Sequence, residues 1–447
     1  MSPEWNILTP NNDKPRRPGH PSPASGRKVY SAVMKQNLIF ILFSLAAVMR
    51  TAQADELHTY LAEAAENNSG LEAAFNRWKA SLEQVPQVKA LPDPRFTYSY
   101  FIREVETRVG PQRQRFGISQ VFPWFGKLKL RGSAAMEAAE AEHQRYELAR
   151  RKLFYQVKSS FFEYDYLHRS TETTRQHLIL LQAVEQVART RFQAGEIPQN
   201  TVIQLQVELG KLEDKLQTLE ALRSPTSARL SAALNRPDST LLPWPEPPAA
   251  TPALFTDEEA LRQLRESSPE LKQLEAVIRE ETDSAELARK ARYPDIQLGL
   301  DYIETGDARM SGVSDSGKDP FTATLSVNLP IWFGKLKAGE MEAAYRRAAA
   351  ENQRMDAGIR LRADLQMALY NFRDAERKIS LYRDTLIPKA RQSLEVTRKS
   401  FESEKTGFTA LIDAERTLLE FQLSADRAFA DREIRLAKIE MLINRDF

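Results

Sequence analysis

The chain has 447 residues, a net charge of +2, 28% charged residues and no cysteine. The near-neutral balance gives no global argument for nucleic acid or acidic substrates. The missing thiol excludes disulfides, thiolate metal sites, cysteine nucleophiles and any lipid anchor held through cysteine, while few glycines among so many charges favour long solvated helices over a compact α/β enzyme.

The first apolar run extends from Leu38 to Val48. A membrane-spanning helix needs roughly 20 residues, about twice that length. Lys35 precedes the run and Ala52-Gln53-Ala54 follows it, a small-x-small pattern, so residues 1–54 read as a signal region removed before Asp55. Met34 offers an alternative start that would give a leader of ordinary length. No later segment is apolar enough for a transmembrane helix, so any membrane role falls to strands.

Residues 55–89 read as one helix, ended by Pro92 and Pro94. Phe96, Tyr98, Tyr100 and Ile102 then alternate with Thr97 and Ser99, and a second strand returns through Phe116 to Phe122 after the turn at Gly110-Pro111. The hexapeptide Trp124-Phe125-Gly126-Lys127-Leu128-Lys129 follows. A long helix is expected from Lys127 to about Ala194, broken by Gly195-Glu196-Ile197-Pro198. The returning helix, to about Asn235, carries Val202, Leu205, Leu209, Leu212, Leu216 and Leu219 in a heptad seam. The proline-rich stretch 237–252 reads as an extended connector.

The order then repeats. A helix over 256–292 is interrupted near Ser267-Ser268-Pro269. Ile296, Leu298, Leu300 and Tyr302 alternate, a polar loop follows, and Phe321, Ala323, Leu325, Val327 and Leu329 give the cleanest period-2 pattern in the chain. The hexapeptide returns unchanged as Trp332-Phe333-Gly334-Lys335-Leu336-Lys337, at an offset of 208 from its first occurrence. A second long helix is expected from Lys335 to about Glu404, kinked at Pro388. In the last helix Leu411, Ala414, Leu418, Phe421, Ala425 and Ala428 each lie at an offset of 209 from a seam counterpart. The chain is therefore a duplication: repeat 1 over 55–236 with a hairpin at 95–123, the connector, and repeat 2 over 253–447 with a hairpin at 295–330.

Four strands of about 10 residues, apolar on one face and polar on the other, match the outer-membrane strand pattern. Four cannot close a barrel, and an open edge in lipid leaves backbone groups unpaired, so membrane strands here require oligomerisation. Trp124 and Trp332 fit the interfacial rim, and Gly126 and Gly334 the bend from strand to helix. The expected fold is mostly α with a membrane β-barrel portion, a duplicated strand hairpin joined to long coiled-coil helices.

With the duplicated hairpin-plus-helix unit, the Pro-x-Phe-Gly-Lys-like junctions, the tip pattern Arg191-Phe192-x-x-Gly195, and Phe401 followed by Leu411-Ile-Asp413-Ala414, the chain resembles the TolC-type outer-membrane efflux family over residues 55–447. The junction Gln120 to Lys127 is most similar to the heavy-metal efflux branch. The resemblance implies a homotrimer with a 12-stranded barrel in outer-membrane lipid and a 12-helix periplasmic tunnel. It implies docking of a periplasmic adaptor (membrane fusion) protein at the helix tips, and through it an inner-membrane pump, expected to be proton-driven. Glu404 stands where the family has glycine.

On that resemblance Asp413 lines the periplasmic aperture, where three copies form a cation-attracting ring; its repeat-1 counterpart is Gln204. Arg191, Lys399 and Lys405 are candidates for pairs that hold the tips shut. Gly195, Glu196, Ile197, Pro198, Ser403 and Glu404 are candidate adaptor contacts. His58, His143, His168 and His177 have no metal-ligand spacing and read as exposed on polar helix faces. No catalytic constellation is present, so no enzyme, cofactor, metal site or nucleic-acid partner is expected. A passive exit duct of a tripartite efflux system is the leading reading. A duct for type I protein secretion and a soluble periplasmic coiled-coil scaffold are the alternatives.

Overall fold

The computed structural model describes residues 56–236, 240–253, 255–403 and 406–446. The signal region with Met34, and Asp55, Glu404 and Lys405, lie outside them.

Repeat 1 contains α1 (Glu56–Asn67), α2 (Ser69–Lys89), β1 (Arg95–Thr107), β2 (Gly110–Phe122), α3 (Lys127–Gln193), α4 (Gln199–Ala221) and α5 (Arg223–Ala233). Repeat 2 contains α6 (Asp257–Ser267), α7 (Pro269–Lys290), β3 (Ile296–Thr305), β4 (Phe321–Val327), α8 (Phe333–Leu381), a π turn (Tyr382–Leu386), α9 (Ile387–Glu402) and α10 (Phe408–Ile443). The single helix expected over 55–89 is two, because Asn68 stops one and caps the next: its Oδ1 accepts from the Leu71 N–H at 2.9 Å. The returning helix likewise divides at Leu222. Among the described residues no helix is long and apolar enough to cross a membrane.

The four strands form one antiparallel sheet in the order β1-β2-β3-β4, with β1 and β4 at its edges. Register puts Tyr98, Phe116, Tyr302 and Phe321 in one row across all four. Their ring centroids are 5.3, 6.4 and 5.1 Å apart in turn. The next row on that face is Phe96, Ile118, Leu300 and Ala323. This apolar face is open: Phe96 is 67% exposed and Phe321 70%. The opposite face carries Thr97, Gly117, Asp301 and Thr322, with Arg115 donating from Nε to Asp301 at 3.0 Å. At the loop end the two turns lean on each other through Gly306 N–H to Pro111 O (2.7 Å) and Gly317 N–H to Val109 O (2.8 Å).

The helices run away from the other end of the sheet. At 1.5 Å per residue the 67 residues of α3 extend about 100 Å. It packs along α2, α7 and α10, and α8 packs along α7 and α10. Of the repeat-2 seam expected from Leu361 to Leu386, Leu361, Leu365, Ala368, Phe372 and Ala375 are buried, as are their repeat-1 counterparts Leu153, Val157, Ser160, Tyr164 and Leu167, while Ile379, Tyr382 and Leu386 are half-buried. The kink expected at Pro388 is the π turn just before it, where the Ile387 N–H reaches back five residues to Tyr382 O. One extra residue is thereby absorbed, which accounts for the repeat offset growing from 208 at the hexapeptide to 209 beyond it. The connector is pinned to the body. Leu242 is buried, and its carbonyl accepts from Tyr164 OH at 2.7 Å. Trp244 stacks on Tyr164 and His168.

Candidate functional site

Two regions at opposite ends of α3, about 100 Å apart, carry the residues singled out by the sequence. At the far end of the helices, α3 stops where Gly195 takes φ +77°. Helical geometry ends readily at a left-handed residue, and glycine reaches that region without a Cβ clash. The Glu196 N–H closes the turn on Arg191 O at 2.9 Å. Pro198, with ψ 153°, then starts α4. Arg191 Nε lies 3.8 Å from Glu196, and its guanidinium sits over the Phe401 ring at 4.8 Å. Phe401 in turn meets Phe408 edge to face at 4.1 Å. Arg191 thus links the repeat-1 tip to the repeat-2 tip through a cation–π contact. Ser403 Oγ donates to Lys399 O at 3.0 Å, finishing α9. Lys399 itself pairs with Glu395 one turn back on its own helix at 3.6 Å, so within this chain it does not reach across the tip. Between α3 and α9 a cavity of about 430 Å³ is lined by Leu180, Val184, Val187, Leu394 and Phe401 and edged by Arg191 and Arg398.

Asp413 stands in the first turns of α10, with its side chain 62% exposed. Arg416 lies 3.5 Å away and also pairs with Glu208 of α4 at 3.0 Å. Hydrogen bonds from Lys211 and Arg416 hold the Glu208 carboxyl below its usual range. Asp413 is therefore a solvent-facing carboxylate beside a cation that is shared with another acid.

His177 differs from its sequence reading. It is buried between α3 and α10, with Nδ1 2.9 Å from Glu415 Oε2 and Nε2 2.6 Å from Gln422 Oε1. Burial opposes its charge, but the bonds to Glu415 and Gln422 outweigh that and raise its pKa above the ordinary histidine value. Further along the same interface, burial raises Asp426 to about 6, with Arg169 offsetting part of the effect. Thr174, Leu178 and Leu181, on the same flank of α3, are buried with it. The reading of His177 as exposed on a polar helix face fails because its partners Glu415 and Gln422 come from the last helix of the other repeat.

At the other end, Trp124 stacks on Tyr293 (5.5 Å, 8°). Gly126 takes φ +84° ahead of α3. Lys127 is buried, donating to Asp295 Oδ1 and Tyr293 O at 2.8 Å each. The Trp124 N–H also donates to Asp295 Oδ1, at 2.8 Å. The second junction differs. Trp332 is 73% exposed, and Gly334 lies inside the first turn of α8 rather than at a left-handed bend. Among the described residues no group of three or more His, Asp or Glu could hold a metal ion.

The chain is 22% identical over 383 residues to the cobalt-zinc-cadmium resistance protein CzcC of Cupriavidus metallidurans, covering 82% of this chain and 84% of that protein. It is 24% identical over 323 residues to the outer membrane protein OprJ of Pseudomonas aeruginosa, covering 70% of this chain and 66% of that protein. Its fold is shared with the crystal structure of the outer membrane protein VceC from Vibrio cholerae, at a TM-score of 0.72, 16% identity and coverage of 88% and 97%. The model of the outer membrane efflux protein family matches residues 60–236 and 260–445, one stretch in each repeat. The chain therefore belongs to the outer membrane efflux protein family, and is an outer-membrane transport protein with its long helices on the periplasmic side.

Proposed function

We propose that three copies of this chain form a passive exit duct of a tripartite efflux system in a Gram-negative cell. The observation that carries this reading is a four-stranded sheet with one open apolar face and two unpaired edges, joined to helices about 100 Å long. Three sheets edge to edge make 12 strands, enough for an aqueous lumen, and closure pairs the edges that lipid would leave unsatisfied. The row Tyr98, Phe116, Tyr302 and Phe321 forms the outer aromatic girdle, and Trp124 and Trp332 the periplasmic rim.

The tips then meet a periplasmic adaptor, through Gly195, Glu196, Ile197 and Pro198 on one side and Ser403 and Glu404 on the other. An inner-membrane pump supplies the energy. Asp413, repeated three times, rings the aperture and draws cations toward it. Arg191 holds the two tips together through Phe401, while Lys399 and Lys405 act between copies. The name of CzcC favours divalent metal cations as substrate.

Sizing and planar-bilayer recording test the reading. The expected result is a detergent-solubilised trimer that conducts ions. A monomer without conductance, or release into the periplasmic fraction without detergent as a scaffold would show, overturns it. A deletion strain challenged with cobalt, zinc and cadmium salts, with drugs, and assayed for secreted proteins tests the substrate. Sensitivity to metals is expected, and loss of protein secretion alone would favour the secretion duct.

A further inference from the structure

The repeated hexapeptide is engaged once and vacant once. In the first copy Lys127 is buried on Asp295, the residue that leads into β3. Within a chain, repeat 1's junction thus clasps the strand entry of repeat 2. Among the described residues no strand follows the second copy. Lys335 is exposed, and among the described residues it has no ion-pair partner. Around it Leu329, Ile331, Trp332 and Phe333 are exposed too.

The counterpart of Asp295 is identifiable. Pro294-Asp295 precedes β3, and Pro92-Asp93 precedes β1. Continuing the β3–β4 register by one residue sets Asp295 opposite Asn328, and continuing the β1–β2 register by two sets Asp93 opposite Val121, each of these being two residues before its hairpin's closing proline. Asp93 is exposed, with no ion-pair partner among the described residues. It stands at the β1 edge and Lys335 beside the β4 edge, on opposite margins of one sheet, so they cannot meet within one chain.

We propose that Lys335 of one copy pairs with Asp93 of the next, closing the barrel through a repetition of the internal Lys127–Asp295 clasp. The partner is a second copy of this chain, and the inference rests on the duct reading above. Register supports it. The β2–β3 pairing sets Phe122 opposite Ile296. Carried across the repeat, and allowing for the extra residue Ile331 before the second Trp-Phe, this sets Val327 opposite Phe96 and Leu325 opposite Tyr98 of the second copy. All four lie on the apolar face, as a continuous barrel wall requires. Had the register been off by one, apolar residues would have met Thr97 and Ser99.

Charge reversal tests the contact. Asp93→Lys and Lys335→Asp are each expected to shorten the lifetime of the detergent-solubilised trimer by roughly tenfold, about 1.4 kcal/mol, and the double reversal to restore it. The chain has no cysteine. Asp93→Cys with Lys335→Cys therefore gives the only two thiols, and a short bis-maleimide, which adds one thiol at each end to form two thioethers, is expected to yield covalent dimers and trimers that neither single variant gives. A stable trimer indifferent to both reversals and not cross-linked by the cysteine pair overturns this contact alone. A wild-type chain that is monomeric in detergent overturns the duct reading and the contact with it.

Discussion

The same six residues occur at 124–129 and 332–337, in two environments. In the first, Trp124 is stacked, Gly126 is left-handed and Lys127 is buried in an ion pair. In the second, Trp332 is exposed, Gly334 is helical and α8 begins two positions earlier in the motif than α3 does. The hexapeptide does not encode its own conformation. What differs is the neighbour: the first copy has Tyr293 and Asp295 beside it, and the second has only the sheet's edge. The long helices diverge in the same way. α3 is unbroken through 67 residues, while α8 and α9 are divided by a π turn. His177 bridges α3 to α10, whereas Leu386, its counterpart in repeat 2, ends that π turn.

The largest expected effect is at the buried clasp. Lys127→Ala removes two charge-assisted hydrogen bonds, to Asp295 and to Tyr293 O, while the Trp124 N–H still reaches Asp295, and should cost about 3 kcal/mol in urea unfolding. Lys335→Ala should leave the unfolding of a single protomer within about 0.5 kcal/mol. Equal losses would abolish the distinction between the junctions.

Next comes His177. His177→Gln should cost about 2 kcal/mol through its charge-assisted bond to Glu415. Because its folded pKa is raised, the contribution is complete below the unfolded value of about 6.5 and is lost as pH rises through the higher folded value. Asp426, raised to about 6, adds a contribution present below its ordinary 3.8 and lost as pH rises through about 6. Stability should therefore fall on going from pH 5 to 8, with His177→Gln flattening the upper part of that curve and Asp426→Asn the lower. A slope unchanged in either variant would remove that residue from the interface's titration.

The glycines give a smaller effect of opposite sign. Gly126→Ala, at φ +84°, should destabilise by about 1–2 kcal/mol. Gly334→Ala, inside a helix turn, should stabilise by about 0.5–1 kcal/mol. Thermal unfolding of both variants compares the junctions without touching charge. Smallest in stability is Asp413→Asn, within about 0.5 kcal/mol for an exposed site. In bilayers it should lower cation selectivity, read as a reversal-potential shift. Gln204→Asn, at the repeat-1 counterpart, should leave that potential unchanged.

Much of the fold was legible. Period-2 alternation marked β1, β3 and β4, while β2 was legible only from Phe116 onward, its first residues Gly110 and Pro111 having read as a turn. Heptad spacing marked the seams, and the identical hexapeptide exposed the duplication. Asn68 was missed as a helix stop because one capping residue is a weak signal inside a long periodic run. The candidate site was legible only in part. Arg191 and Gly195 carried turn and charge signals along the chain, but the Arg191–Phe401 contact joins tips that belong to different repeats. His177 was misread because burial on a coiled-coil flank depends on which helix lies opposite.

By itself the sequence determined periodicity, breaks and repetition, since these follow from local sterics and the spacing of apolar side chains. Tertiary structure alone decided which of two identical hexapeptides buries its lysine, and whether a histidine faces water or Glu415. Both depend on neighbours brought together from distant parts of the chain, whose desolvation and hydrogen bonding no local pattern encodes.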